Sequence, residues 1–178
     1  MDNTSRPAAF FDLDRTLIDT NSGILFAMEE RRTRRISTLQ FLTSLYWGAL
    51  YHFNLIDIDR AYHKAVQLYK GQHTDDLERI TRDWFESRVR HRIRPGAQKI
   101  LAWHKSRGHP LILLTNSSCY LSENVSSAYE LDGWLANTFP LDDHGRISGE
   151  LEYPLCYGEG KLVRAREWAK DSGYCVED

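Results

Sequence analysis

The strongest constraint on this chain is the segment 10–14, Phe-Phe-Asp-Leu-Asp, in which an apolar run ends in two carboxylates separated by one residue. Side chains alternate along a strand, so Asp12 and Asp14 leave the strand end in the same general direction while Leu13 points away. Two unit charges about 4 Å apart repel by roughly 4 kcal/mol at an effective dielectric of about 20, which favours a cation between them. Oxygen ligands of this kind suit Mg²⁺. The segment predicts a buried strand that delivers paired acids to a sheet edge.

The composition is that of an ordinary globular protein with a small-molecule partner. The chain has 178 residues, 42% of them hydrophobic, which is enough for one core with a small inserted lobe. Its formal net charge is -2 and its pI is near 6.4, so it has no general attraction for nucleic acid or for membranes. An anionic partner must therefore be bound by locally placed lysine and arginine. The oligomeric state is left open.

No feature marks the chain for export or for a membrane span. Residues 1–7 lack a charged start followed by an apolar region, and the most apolar stretch, 41–56, is shorter than the ~20 residues that cross a bilayer. A buried helix is the favoured interpretation of that stretch, and attachment to a membrane surface is the alternative. Cys119, Cys156 and Cys175 are odd in number and have no metal-binding spacing, which fits reduced thiols. We therefore expect a cytoplasmic protein.

Three runs have the character of strands in a parallel sheet. They cover residues 8–12, 111–115 and, less regularly, 137–141, and the first two are continuously apolar, as expected where helices cover both faces. Helices are predicted at 95–108, 118–131 and 161–171, and a turn at 142–145 is predicted to join two short strands. This order predicts an α/β fold with an open, Rossmann-like parallel sheet.

The segment between the first two strands is predicted to be helical throughout. Apolar residues recur there at three- and four-residue spacing in 22–35, 37–52, 57–70 and 74–90. Helices inserted after one strand form a lid, so we assign residues 21–92 to an all-helical cap and residues 1–20 and 93–178 to the core. In open sheets, ligands bind beyond the carboxyl ends of the strands, where Asp12, Asp14 and Thr115 fall.

Two further motifs lie at element ends. Thr115, Asn116 and Ser117 close the second strand just before a helix, so their side chains and free backbone N–H groups can receive an anion. Lys161 follows two glycines at the start of the last helix, where its amine can neutralise a phosphoryl oxygen or an acidic neighbour. A helix cap, a surface amine and a chance pair of aspartates are the ordinary alternatives for the three motifs. Their combination in this order favours a phosphate site.

These motifs resemble the haloacid dehalogenase (HAD) superfamily, and within it the phosphoserine phosphatase-like branch known as HAD-IB. The likeness rests on residues 11–17 (Phe-Asp-Leu-Asp-Arg-Thr-Leu), on residues 111–116 and on residues 158–161 (Gly-Glu-Gly-Lys). It extends over nearly the whole chain, including a helical cap inserted between the first two motifs. The resemblance implies a HAD-like fold and a Mg²⁺-dependent phosphatase.

By this resemblance, Asp12 is the nucleophile, Asp14 is the general acid and base, and Thr115, Asn116 and Lys161 bind the phosphate. Asp12 and the main-chain carbonyl of Asp14 are the implied Mg²⁺ ligands. General principles agree, because attack by a carboxylate on phosphorus divides a very slow hydrolysis into two steps, and a second acid protonates the departing alkoxide. A dehalogenase expels halide and needs no such donor. The expected function is hydrolysis of a small phosphorylated metabolite through an aspartyl phosphate.

The chain departs from the family pattern in three places. Members carry a fourth, acidic motif a little beyond the lysine, and no Asp-rich segment follows residues 174–176 here, so we expect either a fragment of a longer protein or a diverged form. Asn21 stands where true phosphoserine phosphatases have an acid that meets the amino group, which disfavours phosphoserine as the substrate. Arg15 stands where many relatives have glycine.

Other functions stay open on the sequence alone. A binding module that has lost turnover with the fourth motif fits, and so does a phosphotransferase to an acceptor other than water. A signalling receiver domain also gathers acids, a threonine and a lysine on an α/β sheet, but it has no room for the helical insertion. The arginines within 31–35 are interpreted as a solvated face, with a phosphate-rich or nucleic-acid partner as the alternative. Those within 88–94 fit a polar hinge and a lining of the cleft between cap and core equally well.

Overall fold

Three parallel strands form the centre of the computed structural model, which describes residues 7–52 and 58–174. They are β1 (Ala9–Phe11), β2 (Leu111–Ser118) and β3 (Gly133–Asn137), in the order β1-β2-β3. In register, Phe11 faces Leu113 and Leu114 faces Leu135. The predicted α/β fold with an open parallel sheet is confirmed. The predictions made for residues 1–6, for 53–57 and for Cys175 lie outside the described residues.

Helices pack on the sheet and fill the insertion between its first two strands. The described part of that insertion contains α1 (Ser22–Arg32), α2 (Thr38–His52), α3 (Ile58–Gln67) and α4 (Thr74–Trp84). The chain then passes through a π-helical turn (Phe85–Val89) and a 3₁₀ turn (Arg90–Arg92) back to the sheet. The later helices are α5 (Pro95–Lys105), α6 (Cys119–Ala128) and α7 (Glu159–Asp171).

The third strand lies four residues earlier than predicted. The sequence suggested 137–141, whereas β3 ends at Asn137. Ala136 is buried in the sheet, while Pro140 further along has no N–H to donate to a ladder. The two short strands predicted around 142–145 are reduced to a single antiparallel bridge between Leu141 and Ile147. The polar residue that closes the strand is therefore Asn137, and its side chain lies at the same sheet edge as the acids of β1.

A buried apolar cluster joins the helical insertion to the sheet layer. Val66 near the end of α3 and Leu77 of α4 pack with Tyr120 and Ile147. Because Tyr120 lies in the first turn of α6, directly after β2, this contact sets the insertion beside the carboxyl ends of the strands. In the ranges that the structure describes, no helix is long and apolar enough to cross a bilayer.

Candidate active site

The end of β1 presents Asp12 to an amine from a distant part of the chain. Leu13, Leu17 and Ile18 are buried and hold the turn that follows the strand, in which the Leu17 N–H donates to the Asp12 carbonyl oxygen at 3.3 Å. The Lys161 Nζ donates to Asp12 Oδ1 at 2.6 Å, across a separation of 149 residues. The two side chains are 25% and 42% exposed, respectively. The pair is therefore reachable from solvent but sheltered by the fold.

Asp14 occupies a more enclosed position in the same turn. Its Oδ1 accepts a hydrogen bond at 2.8 Å from the Ser22 N–H, a donor at the start of α1 that the helix itself does not satisfy. Burial raises the pKa of the Asp14 carboxyl, the hydrogen bond from Ser22 opposes this rise, and the negative charge of Asp12 adds to it. A carboxyl group with a raised pKa beside a second carboxylate is suited to holding and releasing a proton.

The end of β2 is bulged. Leu114 pairs with Leu135 and Ser118 pairs with Asn137, so β2 has two more residues than β3 between these two pairs. The bulge consists of residues 115–117, which are the predicted phosphate contacts Thr115 and Asn116 together with Ser117. The Ser117 N–H donates to Thr115 Oγ1 at 3.2 Å, and Ser118 caps α6 by accepting from the Leu121 N–H. A bulge re-aims side chains at a strand end, and here it turns polar groups toward the carboxyl edge.

Asn137 is a site residue that sequence reasoning missed. Its side chain is fully buried, its Nδ2 donates to the carbonyl oxygen and to Oδ1 of Asn116, each at 3.0 Å, and its Oδ1 accepts from the Cys156 N–H at 2.7 Å. The signal that could have found it is the same as in β1 and β2: a polar residue directly after an apolar strand. The misplaced third strand hid that signal.

The two glycines before Lys161 are required by the backbone. Gly158 has a φ of +51°, a conformation that favours glycine. At Gly160, an added Cβ would lie 1.9 Å from the Leu155 carbonyl oxygen, which is far inside any allowed contact. The Gly-Glu-Gly segment thus folds tightly against residue 155, and this packing starts α7 where Lys161 reaches Asp12.

Cys156 lies beside these groups as a structural residue. It is fully buried, and its Sγ donates to the Leu135 carbonyl oxygen at 3.3 Å. Burial raises the pKa of its thiol, while the nearby positive charges of Arg164 and Lys161 oppose that rise. A buried thiol with a raised pKa is a poor nucleophile, so the interpretation of Cys156 as an incidental cysteine fits its environment.

The structure brings the five predicted site residues to one edge of the sheet. Asp12 and Lys161 are in direct contact, and Asp14 is close enough to feel the charge of Asp12. Thr115 and Asn116 lie at the neighbouring strand end, and Asn137 ties Asn116 to the segment that leads to Lys161. Asn21, in contrast, is used by the fold: it caps α1 by accepting from the Ile24 N–H at 2.9 Å.

The oxygen atoms at this edge suit Mg²⁺. The Asp12 carboxylate is partly exposed, and the Asp14 main chain lies in the same turn, so both are hard oxygen donors. Among the described residues, no group of three or more His, Cys, Asp or Glu side chains is gathered in a way that could hold a metal. Mg²⁺ often keeps several waters and uses one or two carboxylates plus substrate oxygens, so this donor set fits a Mg²⁺ ion that is completed by substrate and water.

The arginine clusters lie largely in ion pairs. Arg32 and Arg88 both contact Glu29, at 2.5 Å and 3.8 Å, and Arg92 contacts Asp19 at 3.2 Å. The Arg92 pair links the 3₁₀ turn to the turn after β1, whereas the two Glu29 pairs lie within the helical insertion. For residues 31–35 the Arg32 pair agrees with the solvated face that the sequence favours, and for residues 88–94 the Arg92 pair agrees with the hinge, one of the two interpretations left open.

Comparisons with known proteins agree with this geometry. A sequence model of the haloacid dehalogenase-like hydrolases matches residues 9–177. The chain is 26% identical over 174 residues to the inhibition of morphological differentiation protein of Streptomyces azureus, covering 95% of this chain and 62% of that protein. It is also 26% identical over 176 residues to a probable phosphatase of Mycobacterium tuberculosis, covering 97% of this chain and 61% of that protein. The chain thus spans about three fifths of the length of these curated relatives.

Solved structures with low sequence identity share the fold. A Bordetella pertussis Tohama I protein of unknown function superimposes with a TM-score of 0.87 at 22% identity, covering 97% of this chain and 78% of that one. A substrate-bound phosphoserine phosphatase superimposes with a TM-score of 0.69 at 18% identity, covering 99% of this chain and 76% of that one. At these identities the likeness concerns the fold.

Proposed function

The chain belongs to the haloacid dehalogenase-like hydrolases, and from this premise we propose that it is a Mg²⁺-dependent phosphomonoesterase that acts on a small phosphorylated metabolite through an aspartyl phosphate. The observation that carries the proposal is the 2.6 Å contact between Lys161 Nζ and Asp12 Oδ1, with Asp14 beside it. A carboxylate that is paired with an amine, next to a second acid with a raised pKa, is the arrangement that two-step phosphoryl transfer needs.

In the first step, a carboxylate oxygen of Asp12 attacks the phosphorus, and the bond from phosphorus to the leaving oxygen breaks. Asp14 gives its proton to that oxygen, so the alcohol departs neutral. In the second step, a water attacks the phosphorus of the aspartyl phosphate while Asp14 takes its proton. The bond from phosphorus to Asp12 then breaks, which releases inorganic phosphate and restores both acids.

The remaining groups stabilise charge on the transferring phosphoryl group. Lys161 supplies a positive charge, and the bulge at residues 115–117 supplies a hydroxyl and an amide together with the N–H groups that open α6. Asp12 and the Asp14 main chain would hold Mg²⁺, which would supply further neutralisation of the phosphoryl charge.

We assign residues 21–92 to a cap that selects the leaving group and shields the site, and residues 1–20 and 93–178 to the core. The packing of α3 and α4 on Tyr120 and Ile147 supports this assignment, because it sets the insertion next to the carboxyl edge.

The use of Asn21 as a helix cap supports a substrate without the ammonium group of phosphoserine. The free thiols of Cys119 and Cys156 support a cytoplasmic location.

The test is hydrolysis of a chromogenic aryl phosphate with and without Mg²⁺. Asp12→Asn is expected to lower kcat/KM by about 10³-fold or more, because the nucleophile is removed. Asp19→Asn is the matched control: it removes an exposed carboxylate of the same loop that pairs with Arg92, and its activity should stay within about twofold of wild type. Rapid acid quench followed by peptide mass analysis should find phosphate on the peptide that contains Asp12.

Full activity in Asp12→Asn would contradict the proposal. Binding of Mg²⁺ and phosphate without turnover in the wild-type chain would replace it with a binding module. Transfer of phosphate to an added alcohol in preference to water would replace hydrolysis with phosphotransfer.

A further inference from the structure

The buried side chain of Asn137 connects parts of the molecule that are far apart in sequence. We propose that Asn137 is a positioning residue that fixes the phosphate-binding bulge relative to the Lys161 segment, and that Tyr62 of α3 couples this arrangement to the helical insertion. The inference rests on the proposed function for its effect on catalysis, while the coupling itself is a property of the fold that can be measured separately.

The first link runs from Asn137 to the bulge of β2. Its Nδ2 donates to both the main-chain oxygen and the Oδ1 of Asn116, each at 3.0 Å. Two bonds to one residue fix both its backbone and its side chain. Because β2 is bulged here, the regular ladder between β2 and β3 is interrupted at residues 115–117. The Asn137 amide supplies the restraint that the interrupted ladder lacks.

The second link runs from Asn137 to the segment that leads into α7. Its Oδ1 accepts from the Cys156 N–H at 2.7 Å, and both Leu155 and Cys156 are buried. Gly160 lies against the Leu155 carbonyl oxygen, so residues 155–161 are packed as one tight unit that ends at Lys161. One planar amide, which donates on one side and accepts on the other, therefore sets the distance between the bulge and this unit.

The third link runs from Asn137 to the helical insertion. The Tyr62 hydroxyl faces the Asn137 side chain, and its ring packs edge-on to Phe139 with a centroid distance of 6.4 Å. Burial raises the pKa of the Tyr62 hydroxyl above its ordinary value, with the Asn137 contact opposing this rise, so the group stays neutral and keeps its proton. A shift of α3 therefore alters the surroundings of the amide that holds both halves of the phosphate site.

Tyr120 provides a matched control for Tyr62. Its ring also packs on Phe139, at 5.6 Å, and its hydroxyl also reaches the insertion, where it bonds with Thr74 Oγ1 at 3.0 Å. The two tyrosines differ in the partner of the hydroxyl: Tyr62 faces Asn137 and Tyr120 faces Thr74. Tyr62→Phe and Tyr120→Phe each remove one buried or half-buried hydroxyl while the ring contacts are kept.

The first measurement is amide hydrogen exchange of wild type, Asn137→Ala, Tyr62→Phe and Tyr120→Phe. Asn137→Ala is expected to speed exchange by about tenfold in two separate segments, residues 113–118 and 155–161, because each loses a bond to the same side chain. Tyr62→Phe should speed exchange in the same two segments by a smaller factor, roughly threefold. Tyr120→Phe should leave both segments unchanged. Faster exchange in one segment alone, or equal effects of the two tyrosine variants, would overturn the inference.

The second measurement separates positioning from loss of stability. With an aryl phosphate as substrate and inorganic phosphate as competitive inhibitor, Asn137→Ala should raise KM and the inhibition constant by about tenfold and Tyr62→Phe by roughly threefold, with smaller changes in kcat. Tyr120→Phe should change neither constant. A lower melting temperature with unchanged constants for Asn137→Ala would show a purely structural role and overturn the inference.

The two measurements also keep the two proposals apart. Exchange requires no turnover, so an inactive wild-type chain would reject the phosphatase while the exchange pattern still decides the role of Asn137. An active wild-type chain in which Asn137→Ala leaves both segments protected would support the phosphatase and reject the positioning role.

Discussion

The turn after β1 and the end of α1 each hold an acid whose pKa is raised by burial, yet the two acids are held in different ways. Glu30 at the end of α1 is 4% exposed, and Arg35 Nη1 lies 3.1 Å from its Oε1. Burial raises the pKa of Glu30, with the Arg35 charge opposing it. Asp14 accepts a hydrogen bond from the neutral N–H of Ser22; the negative charge of Asp12 raises its pKa further, and the positive charge of Arg15 opposes that rise. Burial alone therefore does not distinguish a structural acid from an acid that is available for proton transfer.

The local backbone explains why only Glu30 has a fixed counter-ion. After α1 the chain reverses in a Schellman turn: the Arg34 N–H donates to the Arg31 carbonyl oxygen, and the Arg35 N–H donates to the Glu30 carbonyl oxygen at 2.9 Å. This reversal returns the Arg35 side chain to the Glu30 carboxylate. The turn after β1 instead leads into the N-terminus of α1, which offers an N–H group to Asp14 and no full positive charge. The end of α1 thus gives Glu30 a cation at 3.1 Å, whereas the start of α1 gives Asp14 a neutral N–H group at 2.8 Å.

The largest expected difference between the two regions is in catalysis. Asp14→Asn should lower kcat by about 10²- to 10³-fold on an alkyl phosphate, because the alkoxide then leaves without a proton. The loss should be smaller on an aryl phosphate, whose leaving group needs less protonation. Since the donor must be protonated, wild-type kcat on the alkyl ester should fall as pH rises through the raised pKa of Asp14.

Glu30→Gln is the control for this experiment. It also replaces a buried acid with its amide, and its activity on both esters should stay within about twofold of wild type. Equal losses in the two variants would break the distinction between the regions. A loss in Asp14→Asn that does not depend on the leaving group would argue against proton donation by Asp14.

The site residues that the sequence predicts are those set by local patterns, and the residue that it misses is one held by distant contacts. Asp12, Asp14, Thr115 and Lys161 lie at element ends that local patterns reveal, because strand period, apolar runs and glycines are written in neighbouring residues. The strand ending at Asn137 was displaced because apolar residues continue past it to Leu141. Its partners, Asn116 and Cys156, are 21 and 19 residues away, and no local pattern encodes such contacts.

The arginines near residue 35 also show that local patterns do not predict contacts with distant residues. A run of arginines after two glutamates was interpreted as a solvated face, and Arg32 with Glu29 fits that interpretation. Glu30, however, is buried, and it lies near Tyr69, which follows α3: the pKa of the Tyr69 hydroxyl is raised by its own burial and then by the charge of Glu30. Periodicity within α1 does not report that proximity.

The second prediction concerns stability in the α1 region. Arg35→Met removes the cation and leaves the Glu30 carboxylate buried, so the free energy of unfolding should fall by about 1–2 kcal/mol near neutral pH; the loss is reduced from that of a fully buried pair because Arg35 is partly exposed. The pKa of Glu30 is higher in the folded state than its usual value of 4.5, so protonated Glu30 favours the folded state. This contribution to stability is fully present below pH 4.5 and is lost as the pH rises through the folded-state pKa. The deficit of the variant should therefore be largest at neutral to alkaline pH and shrink as Glu30 protonates.

Denaturant unfolding across this pH range measures the effect, with Arg79→Met as the control. Arg79 pairs with Asp76 at 3.2 Å, and both side chains are more than half exposed, so that variant should lose less than about 0.5 kcal/mol at any pH. A deficit in Arg35→Met that is independent of pH would mean that lost packing, rather than the unpaired Glu30 charge, causes it.

The smallest expected effect tests a strain that the two regions share. Arg15 in the turn after β1 has a φ of +58°, and Arg34 in the Schellman turn has a φ of +59°, so each places a side chain in the left-handed region that favours glycine. Relief of about 1–2 kcal/mol of backbone strain, offset by the extra freedom of glycine in the unfolded chain, should make Arg15→Gly and Arg34→Gly each more stable by roughly 0.5–1 kcal/mol.

Alanine variants at the same positions remove the side chain without relieving the backbone, so Arg15→Ala and Arg34→Ala should show no such gain in denaturant unfolding. Arg34→Gly should leave activity unchanged, because its turn serves only the Glu30 pair. Arg15→Gly adjoins Asp14, and a gain in stability there with a loss of kcat would mean that the strained arginine holds Asp14 in place. Equal kcat in Arg15→Gly and wild type would instead show that Arg15, like Arg34, has only a structural role. The functional difference between the two regions would then lie in Asp14 itself.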